Sequence, residues 1–555
     1  MRWQRPTLST ETLISLGIAY LLLACNGGFW RSALADRAPG AADTWAFAAA
    51  LLGLLAGLYF LALAPLATRR TVRPLLSLLI VAASAGAWYI DHYAVYFDRA
   101  MLRNVLATHW GEARELLNGS LVLHVLLFGL LPAALLWWPR LAERRWPRAL
   151  GRRLAWAGAA AVLAVGSVIP VFADFASLMR NHREVRHLVT PGNLVAASIG
   201  TAWGRSHAPA GPRQPVGADA HLAPAWQQRQ RPTLFVLVVG ETARAQNFSL
   251  NGYARPTNPE LARREVLNFP DATSCGTSTE VSLPCMFSPF GRRHYDEEAI
   301  RSHESLLHVL ARAGFQVQWR DNQSGCKGVC EGLPQLALDH AAVEGLCPEG
   351  QCFDEVLLHG LDRVLADARG NLFIVMHQLG SHGPAYYRRY PAAFKRFSPA
   401  CESDDLRLCS ADEIRNAYDN SLLYTDHFLA RVIDVLAARQ DRFDTAMLYL
   451  SDHGESLGEG GLYLHGVPQA IAPEAQRHVP MVAWLSPAFR AGFGVDTDCL
   501  RARAAGPVSH DHLFHSVLGL LDVATRAYDA SLDVFAGCRR AAVTPPKAPA
   551  PQSAL

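Results

Sequence analysis

Five long apolar runs crowd the first 175 residues of this 555-residue chain, and no other feature limits its fold so severely. They lie at roughly Leu13–Trp30, Trp45–Ala67, Pro74–Ile90, Leu121–Trp138 and Leu154–Phe172. Each is close to the ~20 residues with which a helix crosses ~30 Å of hydrocarbon. Buried core helices are the alternative. The near absence of charge within the runs, and the aromatic residues at their ends (Trp30, Tyr89, Trp137, Trp138), favour membrane spans. Ala33-Leu34-Ala35 has the form of a signal-peptidase site, but four further runs follow it, so the first reads as a retained span.

Lys and Arg in the short loops orient these spans. One set of connections carries Arg2, Arg5, Arg69, Arg70, Arg73, Arg140, Arg144, Arg145, Arg148, Arg152 and Arg153. The other carries only Arg31, Arg37, Arg99, Arg103 and Arg114. The excess places the N-terminus in the cytoplasm, and five crossings then put the remainder on the outer face. Cysteine usage points the same way. Cys25 lies within a span, whereas Cys275, Cys285, Cys326, Cys330, Cys347, Cys352, Cys401, Cys409, Cys499 and Cys538 all follow residue 270. An even number in close pairs suits an oxidising compartment such as the periplasm, and the CxxC pairs of a zinc ribbon are missing. Pairing in sequence order gives five disulfides, with other connectivities open.

Residues 176–231 read as an interfacial helix followed by a linker, "HAPAGPRQPVGADAHLAPA" at 207–225. From 232 to 540 short apolar runs (233–240, 315–320, 372–377, 446–451, 479–485) alternate with helical patterns near 301–313, 354–368, 411–439 and 511–522. That alternation predicts a mostly parallel sheet covered on both faces. Residues 541–555 read as a disordered tail. The net charge of +3 is too small to suggest nucleic acid.

In an open α/β sheet, functional groups gather beyond the carboxyl ends of the strands. Glu241 follows the first predicted strand, His377 and His382 another, and Asp452-His453-Gly454-Glu455 a third, with His465 in "GLYLHG" beyond. Carboxylates and imidazoles are the ligands of a catalytic zinc. The stretch "SCGTSTEVSLPCMFS" (274–288) sets three hydroxyls between Cys275 and Cys285. A threonine oxygen attacks only when its pKa is lowered or its proton removed, which a metal ion does. A disulfide would hold such a loop still.

The segments "VVGETARAQNFSLNGYARPTNP", "TSCGTSTEVSLPCMFS", "RDNQSGCKGVC", "HQLGSHGPAYYRRY" and "SDHGESLGEGGLYLHG" resemble, in order, those of the lipid A phosphoethanolamine transferases. This family of the alkaline phosphatase/sulfatase superfamily includes colistin-resistance enzymes. The resemblance covers nearly the whole chain. It implies a five-span N-terminal membrane domain joined to a periplasmic α/β domain of the sulfatase/alkaline phosphatase type. It implies Thr279 as nucleophile, and Glu241, Asp452, His453 and the Thr279 oxygen as ligands of one zinc ion, with a second zinc open. His382 and His465 would serve the phosphoryl group, and Lys327 and Asn322 would bind substrate. In "MLRNVLATHWGEARELLN" (101–118), Asn104, Thr108 and Glu112 fall four apart, as on one helical face meeting the lipid. Two residues depart from the pattern: Glu280 beside the nucleophile, and Gln323 in place of an asparagine.

The resemblance further implies a monomeric multi-pass protein of the bacterial inner membrane. It would take phosphatidylethanolamine as donor and lipid A as acceptor, with lowered polymyxin susceptibility as the result. A lipopolysaccharide core sugar is the nearest alternative acceptor. A membrane-anchored phosphatase or sulfatase is further off, since the chain contains no CxPxR segment. A non-catalytic binding protein is furthest.

Overall fold

The computed structural model describes residues 5–108, 110–206 and 211–539. The chain forms two compact units. One comprises Met1–His207 with Gly458–Ile471, the other Ala208–Leu457 with Ala472–Leu555.

The first unit is helical. Helix α1 (Thr10–Ala24) starts at Ser9, whose hydroxyl accepts the Thr12 N–H, and meets α2 (Gly27–Ala33) at a 63° bend. Asn26 pins that bend. Its Nδ2 donates to the carbonyls of Leu21 and Thr190, each at 2.8 Å, while its Oδ1 accepts the Thr190 N–H. Helices α3 (Ala42–Leu63), α4 (Val72–Tyr93), α5 (Gly119–Leu135, with a π-helical turn at Val125–Leu130) and α6 (Trp146–Asn181) follow. Small residues bring α3 and α6 together: a Cβ on Gly57 would lie 2.5 Å from the Ala160 carbonyl oxygen.

All five apolar runs are helical, but the expected count of five spans is not reproduced. Three helices (α3, α4, α6) are long and apolar enough to cross a membrane, and the bent α1–α2 pair makes a fourth. Helix α5 is a shorter apolar helix, about 25 Å long at ~1.5 Å per residue. The segment Gly458–Ile471 also belongs to this unit, with Tyr463 and Leu464 packed against Trp88, Tyr93 and Leu121.

The second unit is built on an eight-stranded sheet. Its strands are β1 (Thr233–Gly240), β2 (Leu267–Thr273), β3 (Gln316–Asp321), β4 (Gln335–Ala337), β5 (Leu372–His377), β6 (Asp444–Ser451), β7 (His478–Leu485) and β8 (Val508–Ser509). Their order is β8-β2-β7-β6-β1-β5-β3-β4. The pairings β1/β5, β1/β6, β3/β5, β3/β4 and β2/β8 are parallel, while β7 runs antiparallel to β2 and β6. Every residue of β1 and β6 is buried, as continuous apolar strands require when both sheet faces are covered.

The five expected strands form. Strand β2 escaped sequence reading because Pro270 interrupts it; it tolerates the proline beside a register shift between Val479 and Met481 of β7. The helical pattern at 301–313 resolves into two helices, Glu297–Ser302 and Leu306–Arg312, because Ser305 caps the second with His308. Helix α7 (Thr279–Met286) carries the predicted nucleophile. Helix α8 (Ala411–Ala437) begins with a reciprocal Ser410–Glu413 cap. Five disulfides join Cys275–Cys285, Cys326–Cys330, Cys347–Cys352, Cys401–Cys409 and Cys499–Cys538, and Cys25 is free and buried.

Candidate metal centre and nucleophile

Strand β1 is the point where the sheet order turns back: its neighbours β5 and β6 come from later, separate parts of the chain. Gly240 is in register with Ser451. The next residue of each strand, Glu241 and Asp452, therefore emerges side by side at the sheet's carboxyl edge, about one strand spacing of ~4.8 Å apart. Asp452 Oδ1 accepts the N–H groups of His453 (2.7 Å) and Thr242 (3.2 Å). Thr242 has φ +59°, a costly conformation for a β-branched residue, and its hydroxyl donates to Glu241 Oε1 at 2.6 Å. Strain of this kind persists where surrounding contacts dictate the backbone. Here they aim two carboxylates at one point.

Thr279 reaches the same point from α7, of which it is the first residue. Its Oγ1 lies 3.0 Å from Glu241 Oε2 and 3.4 Å from His453 Nε2. His453 Nε2 is 3.3 Å from Glu241 Oε1 and 3.4 Å from Asp452 Oδ2, while its Nδ1–H donates to the Gly454 carbonyl, fixing the tautomer. Glu241, Thr279, Asp452 and His453 are all under 5 % exposed.

These separations decide what the site can hold. Four ligands at ~2.0–2.1 Å from a tetrahedral ion stand about 3.3–3.4 Å apart. The contacts of Thr279 Oγ1 with Glu241 Oε2 and His453 Nε2, and of His453 Nε2 with Glu241 Oε1 and Asp452 Oδ2, are 3.0–3.4 Å long. Glu241, Asp452 and His453 are also the group among the described residues whose ligand atoms converge as a metal site requires. Asp452 Oδ2 is buried and, among the described residues, has no hydrogen-bond partner. Burial, then the Glu241 charge, pushes the Asp452 carboxyl up to about 6. Burial opposes ionisation of His453, yet the Asp452 and Glu241 carboxylates outweigh it and push its pKa up to about 10. The pocket is short of positive charge. The donor set of Glu241, Asp452 and His453, with the Thr279 hydroxyl beside it, fits a divalent cation.

A buried histidine that sequence reasoning missed supports this floor. His510 Nδ1 accepts the Cys275 N–H at 3.1 Å, and its Nε2–H donates to the Ser451 carbonyl at 2.9 Å. It ties the nucleophile loop to the end of β6. Burial lowers its pKa to about 4, so it is neutral, as both bonds demand. The signal was out of reach, because the partner N–H lies 235 residues away in the chain.

The other expected residues are placed less centrally. Lys327, in the Cys326–Cys330 loop, donates to the hydroxyl (2.6 Å) and carbonyl (3.0 Å) of Ser324. Asn322 is buried and directs its amide nitrogen to Asp354 and the Cys352 carbonyl. His382 is half-buried just beyond β5. His465 falls in Gly458–Ile471, grouped with the first unit. Asn104 lies in the helix Arg99–Ala107, but Thr108 is its extended C-cap. The expected single helical face over Asn104, Thr108 and Glu112 is thus broken: the chain leaves the helix at Thr108, whose hydroxyl bonds back to the Asn104 carbonyl at 2.7 Å. The Glu112 side chain lies outside the described residues. Glu280, the charged departure beside Thr279, is neutralised by Arg301 at 2.7 Å, and Gln323 is buried against Ser324.

Fold and site together define a membrane-attached protein with a catalytic-type domain of the sulfatase fold. Comparison with known proteins agrees. Residues 233–523 match the sulfatase family model, and residues 55–204 match that of phosphoethanolamine transferase EptA/EptB. The chain is 41 % identical to phosphoethanolamine transferase EptA of Escherichia coli strain K12, covering 84 % of this chain and 86 % of that one. It is 37 % identical to phosphatidylethanolamine transferase Mcr-1 of Escherichia coli, covering 87 % and 91 %. The integral membrane lipooligosaccharide phosphoethanolamine transferase A of Neisseria meningitidis superposes with a TM-score of 0.92 at 37 % identity, over 97 % of this chain and all of that one. The chain belongs to the phosphoethanolamine transferase family and is a transferase enzyme.

Proposed function

We propose that this protein moves phosphoethanolamine from phosphatidylethanolamine to a phosphate of lipid A through a covalent intermediate on Thr279, with zinc as the bound ion. One observation carries the reading: a threonine oxygen at the start of α7 lies 3.0 Å from Glu241 and 3.4 Å from His453, within a buried group whose carboxylates and imidazole converge as a metal site requires. Bound zinc supplies the charge that lowers the hydroxyl pKa and offsets the negative charge of phosphoryl oxygens. A second zinc is left open.

The Thr279 hydroxyl donates to Glu241, so its proton has an acceptor 3.0 Å away as the oxygen turns towards phosphorus. The Oγ1–P bond forms as the bond to the diacylglycerol oxygen breaks, and that oxygen leaves with a proton. A lipid A phosphate oxygen then displaces Oγ1 and restores the threonine. We assign the proton transfers to His382 and His465, and binding of the lipid head groups to Lys327, Asn104, Thr108 and Glu112.

Both substrates are lipids, which accounts for the helical unit. We take its spans as five, within residues 1–175: the bent α1–α2 pair counts as one, and α5 falls within the ~17–25 residues that suffice for a crossing. On this reading the arginine-rich loops lie in the cytoplasm and residues 232–540 in the periplasm, and the protein acts as a monomer of the bacterial inner membrane. Attaching an amine-bearing group masks lipid A charge, and weaker polymyxin binding follows.

Mass spectrometry of lipid A from cells expressing wild type or Thr279→Ala tests the proposal. A phosphoethanolamine mass increment on lipid A, lost in the variant, is the expected result. An unmodified lipid A alongside a modified core sugar would replace the acceptor. An increment that survives in Thr279→Ala would remove the intermediate.

A further inference from the structure

Asp354 lies outside the ligand set, yet is almost wholly buried, and among the described residues no Lys or Arg pairs with it. Its carboxylate accepts four hydrogen bonds instead. Oδ1 receives Asn322 Nδ2 (2.9 Å) and the Leu379 N–H (2.8 Å); Oδ2 receives Gln378 Nε2 (3.1 Å) and the Gly380 N–H (3.0 Å). Burial raises its pKa, and these four donors pull the other way. Three of the four come from Gln378–Gly380, the turn that leaves β5.

That turn is the wall behind Glu241. The Ser381 N–H donates to the Glu241 carbonyl at 3.0 Å, and the Gln378 N–H donates to the Val239 carbonyl at 3.0 Å. Gly380 has φ +57°, and a Cβ there would stand 2.5 Å from the Glu241 carbonyl oxygen and 3.0 Å from Glu241 Cβ. The turn thus touches the ligand residue without a side chain between them, and Asp354 holds the turn. The chain also secures Asp354 from behind: it follows the Cys347–Cys352 disulfide by two residues, and Asn322 bonds both the Cys352 carbonyl (3.0 Å) and Asp354.

We propose that Asp354 is a positioning residue for the metal centre, holding the Gln378–Ser381 turn so that Glu241 keeps its ligand geometry, and that Asn322 acts through Asp354 rather than on substrate. The inference rests on the zinc reading above. A carboxylate is suited to the role because both its oxygens accept, whereas an amide would turn an N–H₂ towards two of the four donors. Residues that orient metal ligands typically contribute 10–100-fold in metal affinity.

The test uses the full-length protein in detergent, with zinc affinity measured by competition against a chromogenic chelator well below the melting temperature. Wild type, Asp354→Asn, Asn322→Ala and Gln378→Ala are compared, with far-UV circular dichroism to report the folded fraction. Asp354→Asn is expected to lose zinc affinity 10–100-fold per folded molecule. Asn322→Ala and Gln378→Ala, each removing one donor, are expected to lose several-fold, with the KM for phosphatidylethanolamine unchanged. Unchanged zinc affinity in the folded variants, or a raised KM with unchanged affinity in Asn322→Ala, overturns the inference. If Asp354→Asn does not fold, the two single-donor variants decide. A wild type that binds no zinc removes the underlying reading instead, so the two failures are distinct.

Discussion

Acidification should loosen the nucleophile loop through His510. An ordinary histidine titrates near 6.5, whereas burial holds His510 at about 4. Its folded-state pKa is depressed, so the neutral form's stability is fully present above about 6.5 and is lost as pH falls towards 4, because the unfolded chain takes up the proton first. Summing proton binding in the two states between pH 7 and pH 5 gives a loss of about 2 kcal/mol from this group alone. The structure shows what is lost: a proton on Nδ1 turns the acceptor of the Cys275 N–H into a second donor. For a domain of this size the loss lowers the apparent melting temperature by roughly 4 °C. The assay is a set of thermal melts of wild type and His510→Gln across that pH range. The variant should be less stable at pH 7 and show a shallower fall towards pH 5. His515, also lowered to about 4 by burial, leaves a residual slope in both proteins. Parallel curves for the two proteins would refute the assignment.

Four further outcomes follow from the same geometry. Arg301→Ala leaves the Glu280 carboxylate buried and unpaired beside Thr279, costing about 2 kcal/mol, and adding Glu280→Ala should recover most of it; thermal melts of the pair form the cycle. Gly454→Ala would place a Cβ 2.1 Å from the Ala475 carbonyl oxygen, so either His453 or that backbone must move; zinc affinity by chelator competition and the transfer rate should both drop at least tenfold. Removing the metal with a chelator should abolish transfer to lipid A in a mass-spectrometric assay, and added zinc should restore it. Replacing both Cys275 and Cys285 by serine opens a loop closed over 10 residues and should cost about 3 kcal/mol, read as a lower melting temperature under non-reducing conditions.

Much of this protein is legible from local sequence. The apolar runs become helices because a span must satisfy its own backbone, and the short apolar runs beyond residue 232 become buried strands because both their faces are covered. Glu241, Asp452 and His453 were recognisable as strand-end residues of metal-ligand chemistry, and Thr279 as a hydroxyl between paired cysteines. What local pattern could not supply was distance. Whether β1 lies between β5 and β6 depends on pairings between residues more than 130 positions apart, and that pairing alone sets Glu241 beside Asp452.

The remaining differences share this cause. A proline concealed β2, which pairs with β7 across a register shift at Pro270. Asn104, Thr108 and Glu112 suit one helical face by spacing, but the helix ends at Thr108. Asn322 suits substrate binding by its neighbours in sequence, but its amide faces Asp354, 32 residues on. Sequence alone marked the candidate ligand and nucleophile residues and the long apolar helices, because burial pattern and residue type act along the chain. Only the tertiary structure decided which of those residues meet and which buried groups hold them. Hydrogen bonds such as His510 to Cys275 and Asp354 to Leu379 act through space, and their strength depends on a few tenths of an ångström that no spacing along the chain encodes.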